Sequence, residues 1–159
     1  SGFDIVALDD FIFGEPQAAE YHHGDFDGDG SMDLSVFRPQ TGEWFILNSG
    51  TNTIQQSTFG QLGDTPIHGD FDGDGRGDLA VYRSSTGEWF RQLSTGFLVD
   101  VLGQSGDEPV PGDYDKDGKT DLAVWRKTDG TYLIANSSGG TQSAVWGQTG
   151  DIPISGAAD

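Results

Sequence analysis

The chain has 159 residues, enough for one domain of ordinary size, and its 26 acidic and 8 basic residues give a formal net charge of −18. That balance argues against nucleic acid and anionic membranes as partners, which are held by basic patches, and no apolar run approaches the length of a membrane span. Cysteine is absent, so no disulfide supports the fold, and 25 glycines against one methionine suit a turn-rich β-protein.

The chain opens Ser1-Gly2 with no initiator methionine or apolar leader, as expected of a processed protein or a fragment. Two short β-like runs, Phe3–Ala7 and Phe11–Phe13, read as the closing strands of an incomplete unit. The first complete pattern starts at Gly24 and returns twice, as Gly24–Asp33, Gly69–Asp78 and Gly112–Asp121. Counted from its first aspartate, each copy carries carboxylates at positions 1, 3, 5 and 9 and a glycine at position 6. These are Asp25, Asp27, Asp29 and Asp33; Asp70, Asp72, Asp74 and Asp78; and Asp113, Asp115, Asp117 and Asp121. Like charges this close repel unless a cation sits among them. Hard oxygen donors on a glycine-turned loop suit Ca²⁺, which takes about six to eight oxygens, whereas Zn²⁺ wants His or Cys and Mg²⁺ keeps its waters. Three calcium ions are expected. The backbone carbonyl at position 7 (Ser31, Arg76 and Lys119) and a water would complete each shell. The plain alternative is an acidic hairpin without metal, and three copies with every aspartate kept weigh against it.

These loops are not EF-hands. That motif ends in a bidentate Glu at position 12 between two helices, but position 12 here is Val36, Val81 and Val124. Each valine lies in a short β-branched and aromatic run that continues from the last aspartate, so the loop joins strand to strand. The first loop aspartates are 45 and 43 residues apart, and other landmarks keep that phase. Arg38, Arg83 and Arg126 close the second strand of each unit. Thr41-Gly42-Glu43-Trp44-Phe45 matches Thr86-Gly87-Glu88-Trp89-Phe90 and, more loosely, Asp129-Gly130-Thr131-Tyr132-Leu133. Phe13-Gly14, Phe59-Gly60, Leu102-Gly103 and Trp146-Gly147 end the units. A period of about 44 residues with several strands per unit marks a propeller blade rather than a helical repeat. In the second unit the expected strands are Pro66–Asp70, Asp78–Arg83, Glu88–Leu93 and Phe97–Leu102, with no helix. The whole chain is then a single repeat domain: a blade end over 1–23, repeats over 24–63, 64–106 and 107–150, and the start of a further blade over 151–159.

Asp-x-Asp-x-Asp-Gly-x-x-Asp-Leu, a following Trp-Phe strand and a closing aromatic-Gly resemble the FG-GAP or VCBS repeats of integrin alpha-subunit propellers and bacterial surface proteins. The resemblance covers about residues 13 to 159. It implies an all-β fold of propeller-type blades, each a four-stranded antiparallel sheet, with calcium held between first and second strands on the twelve aspartates named above. The unit opening at Gly150-Asp151-Ile152-Pro153 departs from the pattern, with Ala157 where its first aspartate would be. No fourth site is expected.

Three complete units are too few for a closed propeller, which usually has about four to eight blades, and open strand edges pair readily with other chains. Completion of a blade by a neighbouring copy, giving an oligomer or filament through the end strands, is the preferred expectation. A longer native chain, or a partial fourth blade closed within one molecule, are the alternatives. Trp44, Trp89, Tyr132, Phe59, Trp146, Phe37, Tyr82 and Trp125 recur with the repeat and therefore read as inter-blade core before they read as a sugar-stacking platform. The recurring arginines are expected to pair with a carboxylate or carbonyl inside the blade. His23 and His68 hold a position that Pro111 and Ser155 take in later units, so imidazole is not required there. No nucleophile elbow or phosphate loop occurs, and nearly every polar candidate is repeated, which disfavours catalysis. Asn136-Ser137-Ser138 is a glycosylation-type triplet on an expected turn. Extracellular calcium keeps even weak sites filled, which places the protein outside the cell or at its surface. The expected role is a structural or adhesive module, with a glycan or surface protein as candidate ligand and a calcium-stabilised lectin as the alternative.

Overall fold

The computed structural model describes residues 24–154. Among them are eleven strands and no helix: β1 (Leu34–Arg38), β2 (Glu43–Leu47), β3 (Ile54–Thr58), β4 (Asp64–Gly69), β5 (Asp78–Arg83), β6 (Glu88–Leu93), β7 (Gly96–Val101), β8 (Glu108–Pro109), β9 (Leu122–Arg126), β10 (Thr131–Ala135) and β11 (Thr141–Val145). They form three antiparallel meanders, β1-β2-β3, β4-β5-β6-β7 and β8-β9-β10-β11. The second and third are the expected four-stranded sheets, and the first has three strands among the described residues. The architecture is all-β and propeller-like.

The inner strands of the second unit fall where the sequence puts them, and the outer ones shift. β4 begins at Asp64 rather than Pro66 because Asp64 lies opposite Arg83 in register and pairs with its guanidinium, which extends the ladder. β7 runs one residue earlier than expected. β8 is reduced to two residues and an isolated bridge between Gly112 and Asp121. Val110 donates to the Ala123 carbonyl and Asp121 to the Gly112 carbonyl, each at 2.8 Å, so the bonding carries past Pro111, which sits between the two bonded pairs where β9 asks for no N–H. Ile152–Ile154, within the further blade expected over 151–159, belong to no strand. The remainder of that blade, and the strands expected at Phe3–Ala7 and Phe11–Phe13, lie outside the described residues.

Sheet packing explains the apolar pattern. On β5, Ala80, Val81 and Tyr82 are all fully buried, because sheets lie on both sides. On one side, Tyr82, Trp89 and Phe71 share a cluster with Leu122 and Val124 of the third sheet. On the other, Val81 lies against Gly60 of the first unit. The indoles also anchor the unit ends: Trp44 Nε1 donates to the Phe59 carbonyl at 2.8 Å and Trp89 Nε1 to that of Leu102 at 3.2 Å. The third unit has Tyr132 at that place. Trp125, directly opposite Tyr132 on β9, supplies the indole instead and donates to the Trp146 carbonyl at 3.2 Å. Most of the recurring aromatics are therefore core, whereas Trp146 is 79% exposed.

Between the second and third strands of each unit the chain turns on Gly42, Gly87 and Gly130, all at positive φ. A Cβ at Gly42 would sit 2.3 Å from the Gly60 carbonyl oxygen, so only glycine lets the unit end return over this turn.

Candidate metal centre

Each loop is folded around its own carboxylates. The first aspartate accepts backbone N–H groups on both oxygens: Asp25 from Gly28 at 2.6 Å and Gly30 at 2.8 Å, and Asp70 from Gly73 and Gly75 at the same distances. Asp113 does so from Lys116 and Gly118. The last aspartate ties the loop's beginning to its end, since Asp33, Asp78 and Asp121 accept from Phe26, Phe71 and Tyr114 at 2.8 Å each. Ser31, Arg76 and Lys119 at position 7 donate their N–H groups to the position-5 carboxylates Asp29, Asp74 and Asp117. Alternating polar side chains and glycines thus give a tight turn in which amides point at oxygens.

Three carboxylates converge in every loop. One oxygen from each of Asp25, Asp27 and Asp29 lies within 4.8 Å of the others, and so do those of Asp70, Asp72 and Asp78, and of Asp113, Asp115 and Asp121. The fourth expected aspartate of each loop, Asp33, Asp74 or Asp117, falls outside its group. Asp33 uses its oxygens on the amides of Phe26 and Ser49, and Asp117 accepts from the Lys119 amide and the Ser137 hydroxyl.

The second loop is electrostatically the least satisfied. Asp72 Oδ2 accepts from the amide and hydroxyl of Ser94, but Asp72 Oδ1 is buried without a hydrogen-bond partner. Burial pushes Asp78 up to about 7, and Asp72, Asp70 and Asp74 add to the rise. Asp121 in the third loop is also raised, mainly by burial. A buried anionic oxygen with no donor is costly, and an all-oxygen set around it fits a hard divalent cation. Calcium would be held by Asp70, Asp72 and Asp78 in the second loop, by Asp113, Asp115 and Asp121 in the third, and by Asp25, Asp27 and Asp29 in the first.

The serines were not anticipated. Ser49, Ser94 and Ser137 each stand sixteen residues after a loop's last aspartate, on the turn between the third and fourth strands, and brace the loop carboxylates. That fixed spacing was the available signal. It also gives the Asn136-Ser137-Ser138 triplet a structural role, because Ser137 donates to Asp121 and Asp117 and Ser138 to Asp115. The recurring arginines pair inside their own units. Arg83 is bidentate to Asp64 at 2.8 and 2.9 Å, and Arg126 to Asp107 at 3.0 and 2.9 Å. Six residues before Asp25 the sequence has Ala19 in place of that aspartate, and Arg38 pairs with the exposed side of Glu43.

The profile of the FG-GAP-like repeat matches residues 25–81 and again 70–124. The chain belongs to this family. Each match runs from one acidic loop into the strand after the next, so the FG-GAP-like unit and the spacing of the carboxylate triads coincide. No curated protein sequence matches the chain. Among solved structures, one of streptogramin B lyase is similar at 14% identity with a TM-score of 0.50, over 87% of this chain and 43% of that one. The chain therefore spans less than half the length of that structure, and the likeness carries the fold alone. Among the described residues, no helix is long and apolar enough to cross a membrane.

Proposed function

We propose that the three loops bind calcium and that the protein is a non-catalytic structural or adhesive module working outside the cell. The buried, donorless Asp72 Oδ1 among converging carboxylates carries the metal reading. The ion neutralises each loop and fixes the corner between first and second strands, so folding and calcium are linked. FG-GAP-like membership supports the structural or adhesive role. The recurring aromatics and arginines are mostly spent on packing and on ion pairs within the units, which leaves few groups for chemistry. Copies assemble through their open end strands. A second reading, a calcium-stabilised lectin, draws on the cleft that Trp125, Tyr132, Trp146 and Asp151 line. Calorimetric titration of chelator-stripped protein tests the metal assignment, and saturable binding to one sugar class on a glycan array would favour the lectin.

A further inference from the structure

We infer that the three loops take up their ions cooperatively, because each loop is clipped to the one before it beside the residues that would hold an ion. The inference rests on the calcium assignment above and concerns how those sites regulate one another. The Asp25 carbonyl accepts from the Gly77 amide at 2.5 Å, and the Asp70 carbonyl from the Thr120 amide at 2.7 Å. Position 1 of one loop is thus bonded to position 8 of the next, between the first and second loops and again between the second and third. Asp25 and Asp70 belong to the carboxylate triads of the first and second loops. Gly77 and Thr120 directly precede Asp78 and Asp121, which belong to the triads of the second and third. All four aspartates are buried. A single hydrogen bond between adjacent backbones therefore links a ligand of each ion to a ligand of the next.

Side chains widen both contacts. The position-7 base of a loop lies across the position-4 glycine of the loop before: a Cβ at Gly28 would meet Arg76 at 2.9 Å, and one at Gly73 would meet Lys119 at 3.0 Å. Thr120, only 3% exposed, also packs on Gly69, where a Cβ would sit 2.7 Å from its Oγ1. A loop without its ion must hold four carboxylates apart unaided, and its turn is the less ordered for it. An ion that fixes the end of one loop also fixes the surface on which the earlier loop closes, so the earlier loop orders at a smaller entropic cost. Linkage makes the help mutual. Long-range charge works the other way, since each ion weakens the negative field that draws in the next. That field is screened over about 8 Å at physiological salt, whereas the loops are in direct contact. The second loop takes part in both contacts, so its ion supports the other two.

Calorimetric titration of the chelator-stripped full chain with calcium, at physiological salt, tests this. Wild type fills its loops with a Hill coefficient above one. Asp72→Ala removes a ligand of the second ion, and the ions of the first and third loops then bind about fivefold or more weakly than in wild type. Gly73→Lys probes the contact itself, because it leaves every carboxylate and the position-4 amide in place. The turn accepts lysine there, since Lys116 holds the same position of the third loop at a φ of 63°, but on the second loop the new side chain collides with Lys119. Ions still bind to this variant with a Hill coefficient that falls toward one, and adding Lys119→Gly in the same chain restores it, which a merely strained turn would not allow. Equal and independent affinities in wild type, unchanged for the ions left in Asp72→Ala, overturn the coupling and leave the calcium assignment standing. Cooperativity that survives Gly73→Lys, or that Lys119→Gly fails to restore, overturns this contact as its route. No heat of binding overturns the assignment and the coupling together.

Discussion

The seam between sheets and the row of acidic loops are built from the same repeat, yet they tolerate change differently. In the seam an indole can move from β2 and β6 to β9 and still reach the unit-end carbonyl, because Trp125 stands opposite Tyr132 where Trp89 stands opposite Tyr82 in the previous sheet. Apolar packing asks for volume and one donor, and two neighbouring strands can share the supply. The loops keep all four aspartates in all three copies. A short carboxylate is what can accept two loop amides with one residue and still offer oxygens to an ion with the next. Packing accepts exchange, and charge geometry does not.

Mutations can break or sharpen that contrast. The largest effect is expected from Trp89→Ala, which empties a fully buried site, removes the bond to the Leu102 carbonyl and strips Tyr82 of its tilted ring partner at 4.9 Å. A loss of about 3–5 kcal/mol in urea melts is expected, with or without calcium. Arg83→Ala comes next, at about 3 kcal/mol, because it strands the buried Asp64 carboxylate without its bidentate partner. Asp72→Ala should cost about 2–3 kcal/mol when calcium is near a hundredfold above its dissociation constant. In chelator the same change should cost less, since the donorless buried oxygen goes with it and only the exposed hydrogen bonds from Ser94 are lost.

A pH titration sharpens the contrast further. The folded-state pKa of Asp78 is raised from 3.8 to about 7, so its neutral form favours the fold. That contribution is complete below about pH 4 and is lost as pH rises through about 7. Chelator-treated protein should therefore melt lower at pH 8 than at pH 5, and calcium should remove the difference by compensating the charged form. The smallest effect belongs to Arg38→Ala, whose pair with Glu43 is largely exposed. Its melting temperature should stay within the scatter of repeat measurements.

Much of this was legible in the residues. The repeat phase, the strand-loop-strand placement of the aspartates and the inner strands β5 and β6 follow from spacing and from β-branched runs that continue out of the loop. The outer strands were less legible, because their limits depend on partners distant in sequence: Arg83 draws Asp64 into the ladder. Sequence spacing treated the four aspartates of every loop as equal, but the convergent triad takes positions 1, 3 and 5 in the first loop and positions 1, 3 and 9 in the other two, a difference that spacing alone does not carry. Ser49, Ser94 and Ser137 went unseen since a turn serine has many ordinary uses, and only its distance from the loop marks it.

The account depends on calcium filling the loops, and calorimetric titration of chelator-stripped protein, paired with melting curves, tests that most directly. Three ions bound per chain, with a rise in melting temperature that chelator reverses, is the predicted result. No heat of binding and a melting temperature indifferent to calcium would contradict it.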